Sequence, residues 1–209
     1  MKPFQDYEKA KEQAKYVGGE KLPVGAYVAK ILGVAFEPGK PKQNNPNEIG
    51  SDTLIVQYDI CEGEYADFFR KQYDNNPSED RKFKGRTTIY LPKDDGSEQD
   101  GWTKNAFAKW TVALEESNSG YTWDWNEKAW KDKFIGLVFG ETGTVIDGKE
   151  VTYTELRFPV SVETVRSGKA PEGKFKAKNG WTGNGAKTEE GLTDFISIPA
   201  GIEEELPFA

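Results

Sequence analysis

The chain has 209 residues, of which 36% are hydrophobic and 13% aromatic, enough to build one large domain rather than a wholly disordered chain. A single cysteine and no histidine exclude a disulfide framework, zinc sites built from Cys and His, and histidine acid–base catalysis. The net charge is −7, and residues 189–209 supply −6 of it because they hold six carboxylates and no Lys or Arg. Residues 1–188 are therefore close to neutral.

The predicted elements begin with a short helix within residues 1–19, a stretch rich in helix-forming residues. Val, Ala, Ile and aromatic residues then predict a long strand at 24–36, in which Gly33 marks a bend or a bulge. The Pro-, Gly- and Asn-rich residues 37–51 predict an exposed loop. A second strand is predicted at 52–61, where alternate side chains are strongly apolar and share one face.

A third strand is predicted at 85–92, which is β-branched and stops at a proline. The apolar spacing then becomes helical over 102–118, with Thr103 as the expected N-cap. Two further strands are predicted at 132–141 and 151–165, and an Asp-Gly turn pair lies between them.

This order of elements predicts a mainly β protein and resembles the OB-fold, a five-stranded barrel that here would have a helix between strands 3 and 4. The OB-fold domain would span 20–166; another small barrel or a β-sandwich with an inserted helix is the alternative. Oligonucleotides or oligosaccharides bind OB-folds over strands 2 and 3, which the loops 37–51 and 141–150 would border here. The Gly- and Lys-containing residues 167–201 predict a flexible linker, followed by an acidic tip at 202–209.

A cluster of basic and aromatic residues surrounds the predicted third strand, in "FFRKQY" and "RKFKGR". The first segment fits a strand or a single helical turn. Cations neutralise phosphates, and aromatic rings stack on bases at roughly 1–3 kcal/mol each, so this combination indicates single-stranded nucleic acid. A solvated strand pair with core aromatics is the competing interpretation. The predicted DNA-binding residues are Lys30, Gln57, Arg70, Lys71, Tyr73, Arg81, Lys82, Lys84 and Arg86, with Trp123 and Trp125 as stacking residues.

Other groups give weaker signals. Trp110 is expected in the core, between the helix and the barrel. The carboxylates of Asp94 and Asp95, and of Asp147 with Glu150, have a spacing that matches no specific oxygen-ligand loop for a metal. No catalytic residue, metal site or cofactor is therefore predicted, and the protein is expected not to be an enzyme.

The chain ends in an acidic run followed by apolar residues: Glu203, Glu204, Glu205, Leu206, Pro207 and Phe208. This segment resembles the tip of bacterial single-stranded DNA-binding proteins, which join an OB-fold to a flexible linker and an acidic, Phe-terminated end. The body is similar to single-stranded DNA-binding proteins of phages of Gram-positive bacteria, through "LPVGAYVAKI", "ALEESN" and the order of elements. The resemblance implies that the tip docks on replication, recombination and repair proteins. Ala209 departs from the pattern, because it displaces the terminal carboxylate from Phe208.

We therefore expect sequence-independent binding and protection of single-stranded DNA in phage DNA replication or recombination. No stretch has the length of a membrane span or the apolar core of a signal peptide, which favours a cytoplasmic protein, in the host cytoplasm if phage-encoded. The sequence leaves the oligomeric state open, a homo-oligomer included. The alternatives are a carbohydrate- or protein-binding β-barrel and a metal-dependent nuclease.

Overall fold

The structure is a computed structural model that describes residues 7, 20–43, 45–146, 148–178 and 180–183. Of the predicted N-terminal helix, Tyr7 alone is described, and it is helical. The acidic tip and residues 184–201 of the predicted linker lie outside the described residues.

Strands dominate the described part of the chain. In chain order the elements are β1 (Gly25–Glu37), β2 (Pro41–Lys42), β3 (Asn45–Ile49), β4 (Thr53–Ile60), α1 (Phe68–Asp74), β5 (Arg86–Tyr90), α2 (Glu98–Ser117), a 3₁₀ turn (Glu127–Trp130), β6 (Phe134–Ile146), β7 (Lys149–Val160), α3 (Val162–Arg166) and β8 (Gly173–Ala177). The prediction of a mainly β protein is confirmed.

Five strands form an antiparallel sheet in the order β5-β4-β1-β6-β7, while β8 pairs parallel with β6 and β2 pairs with β3 as a separate hairpin. Within the described residues no ladder joins the edge strands β5 and β7, so the sheet is open between them. Helix α2 contacts both edge strands and β6. A large antiparallel sheet is therefore shown, whereas the closed barrel expected from the sequence is not.

The core lies on the inner face of this sheet. Alternate residues of β4 are buried, Leu54, Val56, Tyr58 and Ile60, as its sequence pattern predicts. Helix α2 adds Trp110, which is buried as expected. Fully burying one large apolar side chain stabilises the fold by about 1.5–3 kcal/mol, so the inner face accounts for much of the stability.

A bulge in β1 decides which of its residues face outward. The pairing of β1 with β4 shifts register between Ile31 and Gly33, so the predicted irregularity at Gly33 is confirmed. Ile31 is paired with the core residue Tyr58, whereas Gly33 is paired with the exposed Gln57. The bulge thus places Gly33 on the outer face of the sheet.

The predicted start of α2 is wrong by four residues. The helix begins at Glu98, because the side chain of Ser97 accepts a hydrogen bond from the Asp100 backbone N–H at 3.1 Å and caps it. Thr103 lies inside the helix and donates its hydroxyl to the Gln99 carbonyl. The predicted end is confirmed, since Asn118 is the C-cap.

Both segments expected as the loops bordering the binding face contain strands. Residues 37–51 carry the β2–β3 hairpin, and most of 141–150 belongs to β6 and β7. Between those strands, Gly148 has a φ of 74°, a left-handed conformation that glycine adopts without strain.

The range expected as a linker begins with ordered structure. Strand β8 pairs with β6, and the Trp181 ring then lies against Gly143, whose missing side chain leaves room for it. A Cβ built on Gly143 would lie 2.6 Å from that ring. The folded body therefore continues beyond residue 166 to Gly183. No helix in the described part of the chain is long and apolar enough to cross a membrane.

Candidate nucleic-acid interface

One face of β1, β4 and β5, opposite the core, carries only exposed or half-buried residues. Residues directly opposite each other in antiparallel strands share a face, so the pairing defines three rows across these strands. None of the nine residues is buried. The rows are Arg86–Gln57–Gly33, Thr88–Ile55–Ala35 and Tyr90–Thr53–Glu37. We call these nine residues the outer face.

The first row combines a cation, an amide and an open position. Arg86 and Gln57 are both exposed and directly paired. A Cβ built on Gly33 would have no heavy atom within 4 Å, so the row ends in open space. Such a row suits an elongated ligand that lies across the strands, with phosphate near Arg86.

One row beyond the outer face, next to the first row, a cation is paired with an aromatic residue. Lys30 is paired with Asp59 on one side and with Phe134 on the other. The Lys30 ammonium lies 2.8 Å from the Asp132 carboxylate, and Phe134 is 43% exposed. Beyond this row, α3 covers the sheet at Gly136, so this surface ends there.

Asp59 joins the sheet to helix α1. Its buried carboxylate accepts the backbone N–H groups of Ile60, Phe69 and Arg70 at 2.9–3.0 Å. Burial raises the pKa of this carboxyl above its ordinary value, and the three hydrogen bonds oppose that rise. The carboxylate satisfies helix N–H groups that would otherwise lack acceptors, and it holds the Arg70 backbone to the residue that pairs with Lys30.

The structure therefore brings together four of the predicted residues. Lys30, Gln57, Arg70 and Arg86 lie on or beside the outer face. The other predicted cations lie on α1 and on the segment that leads from it to β5; these are Lys71, Arg81, Lys82 and Lys84.

That segment is built on a ladder of rings. Phe83 lies 6.5 Å from the buried Phe69 and 6.2 Å from Tyr73, centroid to centroid. The Arg81 guanidinium lies 4.8 Å above the Tyr73 ring, a cation–π contact. One face of Tyr73 is thus already occupied, so in this conformation a base can stack only on its other face. Lys71 donates to the Ala66 carbonyl.

Positive charge is concentrated along the edge strand. Residues 81–93 contain no carboxylate and five cations, Arg81, Lys82, Lys84, Arg86 and Lys93. By contrast, residues 61–80 contain six carboxylates and two cations. The near-neutral charge of residues 1–188 therefore conceals a basic edge at β5. Cations in such an edge favour phosphate binding, because the nucleic acid then releases the counterions that were condensed on its phosphates.

The two predicted tryptophan positions differ. Trp123 is half-buried and packs against Phe107, Trp125 and Trp130 at centroid distances of 5.4–5.9 Å, so part of its ring contacts the edge of the core. Trp125 is 81% exposed and has a φ of 64°, unusual for a bulky side chain. Trp125 is therefore the more exposed of the two rings.

Sequence reasoning missed several residues of the interface. Tyr90, Thr88 and Ile55 share the outer face with Arg86 and Gln57. The signal was present, because alternation along a strand places every second residue on the same face. Phe134 was harder to find, since its position beside Lys30 depends on the pairing of β1 with β6.

Of the carboxylates considered as metal or nuclease elements, Asp94 and Asp95 serve the start of α2, Glu150 accepts hydrogen bonds from Thr182, and Asp147 lies outside the described residues. Asp95 accepts the Ser97 backbone N–H, and Asp94 forms an ion pair with Lys104. The described residues contain no group of three or more Cys, Asp or Glu side chains arranged to hold a metal ion.

Comparison with known proteins adds no family. A scan against protein-family models finds no match, and a search of curated proteins finds none either. The geometry of the outer face is therefore the basis for the function proposed below.

Proposed function

We propose that this protein binds single-stranded DNA without reading its sequence, on the outer face of β1, β4 and β5. The observation that carries the proposal is a sheet face without buried residues in its nine positions, bordered by a basic edge strand and by the half-buried ring of Tyr90 and the exposed ring of Phe134. Phosphates would lie along Arg86 and the cations that precede it, while bases would stack on Tyr90 and Phe134. Such contacts use charge and ring surface, which every nucleotide supplies.

We further propose that the sheet is an OB-type barrel that α2 closes. Of the five antiparallel strands of the main sheet, three precede α2 and two follow it, and α2 contacts both edge strands. In this topology β4 and β5 are the second and third barrel strands, the pair over which OB-folds bind oligonucleotides. Fold and surface thus support the same location for the ligand.

The affinity should depend strongly on salt. Each phosphate neutralised on a single strand contributes about −0.7 to the slope of log K against log salt concentration. Contacts from Lys30, Arg70, Lys84 and Arg86 would give a slope of about −3. A slope near zero would remove the electrostatic part of the proposal.

The test is a fluorescence anisotropy titration of labelled oligo-dT of about 20 nucleotides at about 50 mM and about 200 mM salt. Arg86→Gln should weaken binding several-fold at low salt and flatten the salt slope by about 0.7. Lys109→Gln is the matched control, because it removes the same charge from an exposed position on α2. Equal effects of the two variants would refute the outer face as the site, and no binding at low salt would refute DNA binding.

Two further ligands in the same assay separate the alternatives. Oligo-U in place of oligo-dT would show whether RNA is preferred, and a panel of oligosaccharides would detect a carbohydrate-binding barrel. Incubation of labelled single strands with magnesium tests the nuclease reading, since cleavage would contradict a passive binder.

We propose that the C-terminal tip, Glu203–Phe208, recruits partner proteins while the sheet holds DNA. The carboxylates would meet a basic rim on the partner, and Phe208 would fill an apolar pocket. Deleting 203–209 should leave DNA affinity equal or higher and abolish recruitment of a purified replication or recombination protein. Unfolding of the body on deletion would instead show that the tip is structural.

A further inference from the structure

The hairpin of β6 and β7 extends beyond the main sheet as an arm. Strand β1 pairs with β6 only up to Gly25 and Phe139, whereas β6 and β7 remain paired as far as Ile146 and Lys149. Strand β8 takes the β6 edge that β1 leaves, through pairing at Gly140–Gly143. The other side of the arm ends at β7, which has no strand beyond it within the described residues.

The outer edge of this arm is unusually open. Five consecutive β7 residues, Lys149–Tyr153, are all exposed. Val151 and Tyr153 remain 36% and 37% exposed on the same face, and Ile146 lies opposite Lys149 on that face. Lys21 donates to the Thr152 hydroxyl and Thr182 to the Glu150 carboxylate, but among the described residues no strand pairs along this edge of β7. An edge strand with exposed apolar residues and no paired neighbour is a template for pairing with another strand.

We infer that a second copy of this chain occupies that edge, with the two β7 strands paired antiparallel about a twofold axis at Thr152. In this register Lys149 lies opposite Glu155 of the partner subunit, and Val151 lies opposite the partner's Tyr153. Each opposite-charge or aromatic–β-branched pair stabilises antiparallel strands. A twofold axis forms every such pair twice.

Neighbouring registers are less favourable. A twofold axis perpendicular to the sheet places each β7 side chain opposite a side chain on the same face of the partner's β7. The register must therefore be centred on a residue that lies opposite its own copy, not between two residues. An axis at Tyr153 places Lys149 opposite Arg157 of the partner subunit, and an axis at Glu150 places two carboxylates opposite each other. An axis at Val151 gives no ion pair. Only the register centred on Thr152 unites opposite charges and apolar residues.

The Glu155 carboxylate can accept a further hydrogen bond from a cation of the partner subunit. Its carboxylate is 34% exposed. One oxygen accepts from Thr142 and Arg157, whereas the other accepts from Lys178 alone among the described residues. A carboxylate offers about four acceptor positions, which leaves one for Lys149 of the partner subunit.

The inference does not rest on DNA binding, and cysteine trapping tests it. Directly opposite residues in antiparallel strands have Cα atoms about 4.5–5.5 Å apart, within the range of a disulfide. In a Cys61→Ser background, Thr152→Cys should form a disulfide-linked dimer under mild oxidation. Ser119→Cys is the control, because Ser119 is exposed in the turn after α2 and reports collisional cross-linking. A Thr152→Cys dimer yield no greater than that of Ser119→Cys would overturn the inference.

Sedimentation of the protein without added cysteines supplies the second measurement. The wild type should associate to a dimer as its concentration rises, and Tyr153→Lys should remain a monomer with an unchanged circular dichroism spectrum. A wild type that stays monomeric, or a Tyr153→Lys variant that dimerises equally, would contradict pairing through β7.

Discussion

Asp59 illustrates how one buried residue organises the candidate site. Its carboxylate accepts N–H groups at the start of α1, so Asp59→Ala should lower the free energy of unfolding by about 1–2 kcal/mol. Urea denaturation measures this loss. Asp74→Ala is the control, since Asp74 is exposed at the opposite end of the same helix, where a carboxylate is unfavourable. Equal destabilisation by both variants would argue against the capping role.

Comparing alanine variants of Phe134 and Phe175 tests the hypothesis that bases stack on Phe134. Both are exposed, at 43% and 41%, but Phe134 lies beside Lys30 on the sheet and Phe175 lies on β8. Phe134→Ala should weaken oligo-dT binding by about 1–3 kcal/mol, the contribution of one stacked base. Phe175→Ala should leave the affinity unchanged in the same titration. The reverse ranking would move the interface to the arm.

At the scale of elements, two glycines should respond to alanine with opposite signs. A Cβ at Gly143 would lie 2.6–2.7 Å from the rings of Trp181 and Phe175, so Gly143→Ala should loosen residues 173–183. Gly101 in α2 has open space around its Cβ position, and Gly101→Ala should stabilise the protein by about 0.5–1 kcal/mol. Thermal unfolding and hydrogen exchange over 173–183 measure both effects. Faster exchange in Gly101→Ala would contradict the account.

Attachment of β8 should depend on pH through Glu155. Burial alone would raise the pKa of this carboxyl, but the ion pair with Lys178 and hydrogen bonds from Thr142 and Arg157 outweigh it and hold the pKa below 4.5. A lowered pKa in the folded state means that the stabilisation is complete above about 4.5 and is lost as pH falls through the folded-state pKa.

Amide hydrogen exchange over 173–178 should therefore accelerate at acidic pH, after correction for the pH dependence of the intrinsic exchange rate. Glu155→Gln should remove this dependence. Glu163→Gln is the control, because Glu163 is exposed on α3. An unchanged acid response in Glu155→Gln would exclude Glu155 as the titrating group.

The sequence correctly predicted the elements whose formation depends on the local spacing of apolar residues. The alternation in β4 and the apolar spacing around Trp110 and Leu114 are properties of neighbouring residues, and both were read correctly. The sequence left the α1 segment open between a strand and a helical turn, and it did not predict β8, because distant partners stabilise both elements. Asp59 caps α1 from the sheet, and β8 forms only where the free edge of β6 is available. The half-burial of Trp123 was not predicted for the same reason, since its ring partners come from α2, the 3₁₀ turn and the segment between them.

At the scale of the whole molecule, charge distribution matters more than net charge. The acidic residues 189–209 account for −6 of the total −7, while residues 81–93 form a basic edge. The acidic pI of about 4.9 therefore does not argue against the proposed binding of a polyanion at the basic edge. The arm at β7 lies on the opposite edge of the main sheet from β5, so dimerisation there leaves the basic edge accessible.

The central claim is that single-stranded DNA lies on the outer face of β1, β4 and β5. Photocross-linking with an oligonucleotide that carries 5-bromodeoxyuridine, followed by peptide mass spectrometry, tests it most directly. We expect adducts on Tyr90 and Phe134, which are lost in competition with unlabelled oligo-dT and in high salt. Adducts confined to Trp125 or to the β8 segment would contradict the account.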